Sequence, residues 1–341
     1  MIWLHSKLKG AQSYLCVVIT LVLICALGSA TAEIKLTDSL SVSGFLDMSS
    51  TTTSGGDETK IGLSFDQFEL DFKIEQGSVT GYVDIDSTGP DAGIKLEQGY
   101  VTYTLPESTV SGVSIKAGRF LSAMGFEAAE PTGLFQYSFS EGIPYPAYQN
   151  GIGIDVKPAE QVGIYVALLS GVWDVNDTNV KDPGIEAQVA LTPIEQITAK
   201  VGYAMDTGYS MDTTDVPEEY SKSELNAWVQ FAQGPLTLAG EFDMLTNWDP
   251  DEDNPEFMGD GIHFLGMANV SLADMIAAPV AVTLRFSGIS ISNDADEEYK
   301  QTEFTLSPSY SATDNWLLLA EFKQRLDAEE TIIAIESLFT F

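Results

Sequence analysis

The chain has 341 residues, 44% of them hydrophobic, and 50 acidic against 16 basic side chains give a net charge of −34. That acidity argues against nucleic acid as a partner. Its two cysteines, Cys16 and Cys25, lie near the N-terminus, so nothing beyond them supports disulfide or thiol chemistry.

The first segment is an address. Lys7 and Lys9 precede an apolar run from Leu15 to Leu27, and Ala30-Thr31-Ala32 supplies a small-x-small cleavage pattern. Residues 1–32 are expected to be a secretory signal peptide, with residues 33–341 as the mature protein. Ile24 before Cys25 does not fit a lipoprotein cleavage site. No later run approaches the roughly 18 apolar residues of a membrane helix.

From residue 40 onward, period-two alternation predicts sixteen strands, centred on 40–48, 61–74, 78–86, 95–105, 112–119, 150–157, 162–171, 184–191, 196–204, 223–232, 235–244, 262–270, 279–290, 301–311, 315–325 and 331–341. Phe68, Leu70, Phe72 and Ile74 take one face and leave Gln67, Glu69, Asp71 and Lys73 on the other. Val280, Val282, Leu284 and Phe286 leave Thr283, Arg285 and Ser287; Leu225, Ala227, Val229 and Phe231 leave Asn226, Trp228 and Gln230. A charged second face suits a wet lumen better than a packed sandwich. Ile61, Leu63 and Phe65 are out of phase with Phe68 onward, which predicts a bulge near Asp66.

The connections alternate in length. Those at 75–77, 106–111, 158–161, 192–195, 233–234, 271–278 and 312–314 are short, and those between them are mostly long. An even strand count with short turns on one side and long loops on the other describes a transmembrane antiparallel β-barrel. The longest connection, residues 120–149, is rich in Phe, Tyr, Gly and Pro and has no period. Such a loop is hard to accommodate in a compact domain. Folded inward at the third outside connection, it would line and narrow the lumen.

Charged and aromatic residues of this insert and the facing wall are the candidate site. Arg119, Arg285 and Arg325 are the chain's only arginines. With Lys116 and with Glu127, Glu130 and Glu141 they would either set a transverse field at a pore constriction or pair as ties holding the loop to the wall. Phe135, Tyr137, Tyr145 and Tyr148 are candidates for stacking on a solute. Trp173, Trp248, Trp316, Tyr103, Tyr203 and Phe341 fall near strand ends, where an interfacial aromatic girdle is expected.

Other chemistry finds little support. His263 is the only histidine beyond His5, and no nucleophile elbow or phosphate-binding loop appears. A barrel-embedded hydrolase would need His263 and a serine brought together. Asp249, Asp251 and Asp253 resemble the start of a calcium loop. That motif wants Gly at its sixth position and Glu at its twelfth, where this chain has Asn254 and Asp260. Residues 331–341 place Ile333, Ile335, Phe339 and Phe341 on one phase, like the closing strand read by the outer-membrane assembly machinery.

Three stretches carry a family resemblance. They are residues 82–106, with Gln98, Tyr100, Val101 and Tyr103; residues 114–127, with Lys116, Gly118, Arg119, Phe120, Gly125 and Glu127; and the Tyr- and Pro-rich 137–156. Together they resemble the OmpL-like β-barrel porins. The resemblance implies a bacterial outer-membrane pore without catalytic residues or cofactor. The expected partners are outer-membrane lipid and lipopolysaccharide, the assembly machinery, small hydrophilic solutes and, as a homotrimer, further copies of the chain. The expected function is passive diffusion with a cation preference. The alternatives are a structural or adhesive barrel with a plugged lumen and a barrel-embedded hydrolase.

Overall fold

Sixteen long strands close on themselves. The computed structural model describes residues 34–341 except 56–57, 90–91, 108–111, 128–129, 174–182, 211–218, 250–257, 294 and 296. The expected signal peptide, Asp251 and Asp253 lie outside the described residues.

The strands are β1 (Ile34–Thr37), β2 (Leu40–Gly55), β3 (Glu58–Gln76), β4 (Val79–Ser87), β5 (Lys95–Thr104), β6 (Val113–Leu121), β7 (Tyr148–Ala159), β8 (Val162–Leu169), β9 (Gly184–Ile194), β10 (Ile197–Ser210), β11 (Glu219–Gln233), β12 (Leu236–Trp248), β13 (Gly259–Ser271), β14 (Val280–Ser292), β15 (Glu298–Thr313), β16 (Trp316–Arg325) and β17 (Glu330–Thr340). From β2 to β17 each pairs antiparallel with the next, and β17 pairs with β2 from Thr340↔Phe45 to Thr331↔Ser54. Closure leaves no open edge, which an isolated sheet in lipid could not tolerate. All sixteen strands expected from alternation are present.

The short β1 was not expected. It carries only two apolar residues, Ile34 and Leu36, and occupies the edge of β2 just beyond the end of β17: Ile34 pairs with Val42, while Phe341 exchanges two 3.0 Å hydrogen bonds with Gly44.

Burial inverts the pattern of a water-soluble protein. Leu63 is 88% exposed, and Ile61, Val229, Leu284 and Phe286 also face outward, whereas Glu69, Asn226, Thr283, Arg285 and Ser287 are buried inside. An apolar exterior around a charged interior follows from period-two alternation with lipid on one side. The phase shift in β3 is resolved as expected: Asp47 pairs with Gln67 and Met48 with Phe65, leaving Asp66 as the bulged residue.

Antiparallel neighbours force the connections to alternate between two ends. The turns β3–β4, β7–β8 and β11–β12 share one end, while β2–β3, β10–β11 and β12–β13 share the other. One helical turn, Ala273–Ile276, fills the β13–β14 connection.

Two of the expected girdle residues are elsewhere. Trp248 is only 6% exposed and packs with Leu245, Ile289 and Ile291, and Trp173 meets it edge-on at 5.3 Å. Lys222 Nζ lies 4.1 Å from the Trp248 ring and pairs with Asp249 at 2.5 Å. Trp173 lies in the β8–β9 connection, and Trp248 ends β12 just after a register shift between Leu245 and Trp248, with Asn247 at φ +52°, which turns its side chain inward. Tyr103 and Tyr203 are exposed on the outer face, in keeping with a girdle.

Candidate functional site

The insert between β6 and β7 starts at a tight approach. Gly118 has φ +133°, and a Cβ there would sit 2.3 Å from the Gly99 carbonyl oxygen. Only glycine allows β6 to lie this close to β5, where Tyr100 stacks on Tyr82 at 4.9 Å and meets Phe120 edge-on. The chain then turns inward over a small apolar core of Phe120, Met124, Tyr165, Leu169 and Val172, all buried inside the barrel.

Two wall carboxylates fix this first segment. Glu186 on β9 accepts from Ser122 Oγ at 2.6 Å, Ala123 N at 2.7 Å and Gln149 Nε2 at 2.8 Å. Glu241 on β12 accepts from Phe126 N at 2.8 Å. Free backbone donors of an irregular segment thereby find partners they would otherwise lack.

The middle of the insert is clamped to β14–β16. Arg285, 1% exposed, donates to Glu127 at 2.5 Å, the Ser138 carbonyl at 2.6 Å, Glu303 at 2.8 Å and the Phe139 carbonyl at 2.9 Å. Glu127 also accepts from Gln136 and from Ser140 N. Lys323 pairs with Glu303 at 2.8 Å and donates to the Phe139 carbonyl. Glu321 accepts from Ser138 N and Oγ. At the rim, Arg325 pairs with Glu141 and with Glu330. Gly142, at φ +64°, passes so close to Ile289 that a Cβ would lie 2.9 Å from it.

His263 on β13 joins the clamp. Its Nε2 is 3.0 Å from Ser140 Oγ and its Nδ1 is 2.7 Å from Asp243. These are the spacings of a serine–histidine–aspartate triad. All three residues are buried, with His263 and Asp243 at 0% exposure. The arrangement ties the insert to β12 and β13.

Across the lumen the insert meets β2 and β3. Tyr137 hydroxyl lies 3.0 Å from Ser49 Oγ. Glu130 accepts from the Tyr148 hydroxyl, and from Gln67 Nε2 at 3.3 Å. Burial pushes the Glu130 carboxyl above the ordinary carboxylate range, while hydrogen bonds, that from Tyr148 foremost, pull it back. A pocket of about 190 Å³ opens under the insert between Phe126, Glu127, Leu134, Phe135, Gln136 and Gln230.

The expected constriction residues therefore divide into groups. Arg285 with Glu127, and Arg325 with Glu141, form ion pairs that hold the loop. Lys116 stands apart, 4.4 Å from the rings of both Phe120 and Tyr165, and Arg119 donates to the Glu97 carbonyl at 2.7 Å and lies over the Tyr148 ring. Among the stacking candidates, Phe135 gives its carbonyl to Thr283 and Tyr145 donates to the Ser122 carbonyl at 3.5 Å. Sequence reasoning missed Glu186, Glu241, Glu303, Glu321 and Lys323 as partners of the insert. Their inward phase marked them as lumen residues but not as contacts. Two groups have metal-ligand spacing among the described residues: Glu241, Asp243 and His263, where His263 and Asp243 pair directly and Asn226 donates to both Asp243 and Glu241, and Glu69, Glu97 and Glu130.

The sequence profile of the family described as "Putative beta-barrel porin-2, OmpL-like" matches residues 58–337. No curated protein gives a significant sequence match. Solved structures match in fold. The outer-membrane channel DcaP of Acinetobacter baumannii superposes with a TM-score of 0.66 at 13% identity, over 91% of this chain and 100% of that one. OmpF of Salmonella typhi, in complex with daunomycin, gives 0.68 at 11%, over 91% and 100%. An anion-selective porin from Comamonas acidovorans gives 0.62 at 12%, over 89% and 99%. With its profile match covering most of the barrel, the chain belongs to the OmpL-like β-barrel porin-2 family of bacterial outer-membrane proteins.

Proposed function

We propose that the protein is a passive diffusion channel for small hydrophilic solutes and ions, with residues 120–149 as the constriction and a preference for cations. Barrels of sixteen strands are wide enough to hold an aqueous channel. The observation that carries the reading is the uneven field across the lumen. On the β14–β16 side Arg285, Lys323 and Arg325 are each paired with carboxylates, whereas the β3–β5 side presents Glu69, Asp71, Asp84, Asp86 and Glu97 with Glu130. Charge at a constriction selects ions of opposite sign, and low-dielectric walls focus its field. A Comamonas porin of the same fold is anion-selective, so the fold alone does not fix the sign, and the reading rests on the lumen residues of this chain.

In this reading the outer belt contacts lipid and lipopolysaccharide, β17 with Phe341 is the strand recognised by the assembly machinery, and the barrel works as a homotrimer. It uses no cofactor and performs no chemistry. The buried Ser140–His263–Asp243 group supports this, since a hydrolase needs an open nucleophile.

The test is a reversal potential across a KCl gradient with the purified protein in a planar bilayer. A cation-selective value is expected, weakening in molar salt, where the Debye length is about 3 Å. An anion-selective value would hand control of the constriction to Lys116, Arg119, Arg285 and Arg325. The second reading, a structural barrel plugged by its insert, draws on the spread of the insert's contacts, from Ser49 on β2 round to Glu321 on β16. Absence of any conductance would favour it.

A further inference from the structure

On the β3–β5 wall, two local features gather carboxylates that ordinary pairing would keep apart. In the β4–β5 ladder Asp84 pairs with Gln98 and Ile85 with Leu96, so Glu97 is a bulged residue without a partner of its own. A bulge re-aims a side chain, and here it brings Glu97 towards Glu69. In the β3–β4 ladder Asp86 stands directly opposite Glu69, where side chains on one face touch. The insert then adds Glu130 from above. One oxygen from each of Glu69, Glu97 and Glu130 lies within 4.8 Å of the others.

These groups are short of donors. Gln67 Nε2 serves both Glu69, at 3.0 Å, and Glu130, and the Tyr148 hydroxyl serves Glu130. Asp86 is only 3% exposed, yet its Oδ1 has no hydrogen-bond partner, and neither has the buried Oε2 of Glu97. Single buried carboxylates elsewhere in this lumen also keep an oxygen without a donor, as at Asp47, Glu224 and Glu241, and Glu127 and Glu186 each accept from three donors; what sets the β3–β5 wall apart is that three carboxylates converge there. A buried carboxylate oxygen without a donor is costly, and an ion supplies what the side chains here do not.

We propose that Glu69, Asp86, Glu97 and Glu130 bind a hard divalent cation, Ca²⁺ in preference to Mg²⁺, which ties the insert to the β3–β5 wall. The donors are all oxygens and come from three strands and a loop. Such a set suits the six to eight flexible ligands of Ca²⁺ better than the strict octahedron of Mg²⁺. The site rests on the channel reading for its consequence: a bound divalent ion offsets the charge that selects permeating cations, so selectivity becomes calcium-dependent.

Terbium(III) luminescence tests the site on the chelator-treated, folded barrel in detergent. The Tyr148 hydroxyl bonds to Glu130, which places a sensitising ring beside the ion. Saturable emission is expected, displaced by Ca²⁺ with less effect from Mg²⁺, and at least about tenfold weaker in affinity in Glu97→Gln and Glu130→Gln. Heat-modifiable mobility reports folding of each variant, and Glu130→Gln lies in the insert, outside the sheet. No emission from the wild type, emission unchanged in both variants, or emission lost only in Asp249→Asn would overturn the site. In the bilayer, millimolar Ca²⁺ should move the wild-type reversal potential toward zero and leave that of Glu97→Gln in place. A selective channel without terbium emission retires the ion site alone; a terbium site in a barrel that never conducts retires the channel reading alone.

Discussion

The two walls that face each other across the insert handle charge in opposite ways. On β14–β16 every arginine and lysine at the insert meets a carboxylate; the pairs of Arg285 and Lys323 are buried, and those of Arg325 lie at the rim. On β3–β5 carboxylates meet one another, a glutamine and a tyrosine hydroxyl. The first wall holds the loop in place; in the proposed channel the second gives the lumen its sign. On that proposal anchoring and selection fall to separate residues, although both use glutamates of one loop, Glu127 for the first and Glu130 for the second. The contrast predicts that damage to either wall leaves the other property in place.

The largest effect is expected at the clamp. Arg285→Met leaves Glu127 and Glu303 buried without their guanidinium, and breaking a buried pair in this way costs roughly 3–5 kcal/mol. The insert should come loose, raising single-channel conductance and adding gating noise, with a lower unfolding temperature. Unchanged conductance would show that Arg285 does not hold the loop. Next comes the seam: deleting Phe341 removes its paired hydrogen bonds to Gly44, and outer-membrane yield should fall while unfolded chain accumulates in the periplasm. Normal heat-modifiable folding in cells would count against this. The third effect concerns the acidic wall. Glu130→Gln and Glu97→Gln should shift the KCl reversal potential toward zero with little change in conductance, whereas Glu127→Gln should act chiefly on loop stability. Equal shifts from all three would erase the division between the walls. The smallest effect is expected from Ser140→Ala, which loses one hydrogen bond to His263, about 1 kcal/mol. Labelling of Ser140 by a fluorophosphonate probe in the folded protein would instead show that the triad is accessible.

The architecture was legible because lipid enforces alternation so strictly. Leu284 and Phe286 outside with Arg285 and Ser287 inside is a pattern with one sheet solution, and even the bulge at Asp66 showed as a slip of phase. β1 was not legible, since Ile34 and Leu36 are too few to establish a period. The site was legible only as a set of candidates. Periodicity tells which way Glu303, Glu321 and Lys323 point. It does not tell that a loop some 160 to 180 residues earlier in the chain would meet them, as it does where Ser138 meets Glu321 and Arg285 meets Glu127. The pairing of Ser140 with His263 was hidden for the same reason. Trp173 and Trp248 misled because position near a strand end was read without the connection that carries Trp173 or the register shift before Trp248.

The β17–β2 seam has a consequence for how the barrel comes into being. Thr340 pairs with Phe45, so the contacts that close the sheet join segments almost three hundred residues apart. Contacts of such separation form late and slowly. Until they form, the edge of β2 beyond β1 presents a row of unpaired backbone groups, a template for any other extended chain. Phe341 and β1 lie end to end on that same edge, so the last ladder to zip meets a neighbour that blocks sliding of register. Closure of the whole barrel therefore waits on its last strand, and the edge of β2 stays open until β17 arrives.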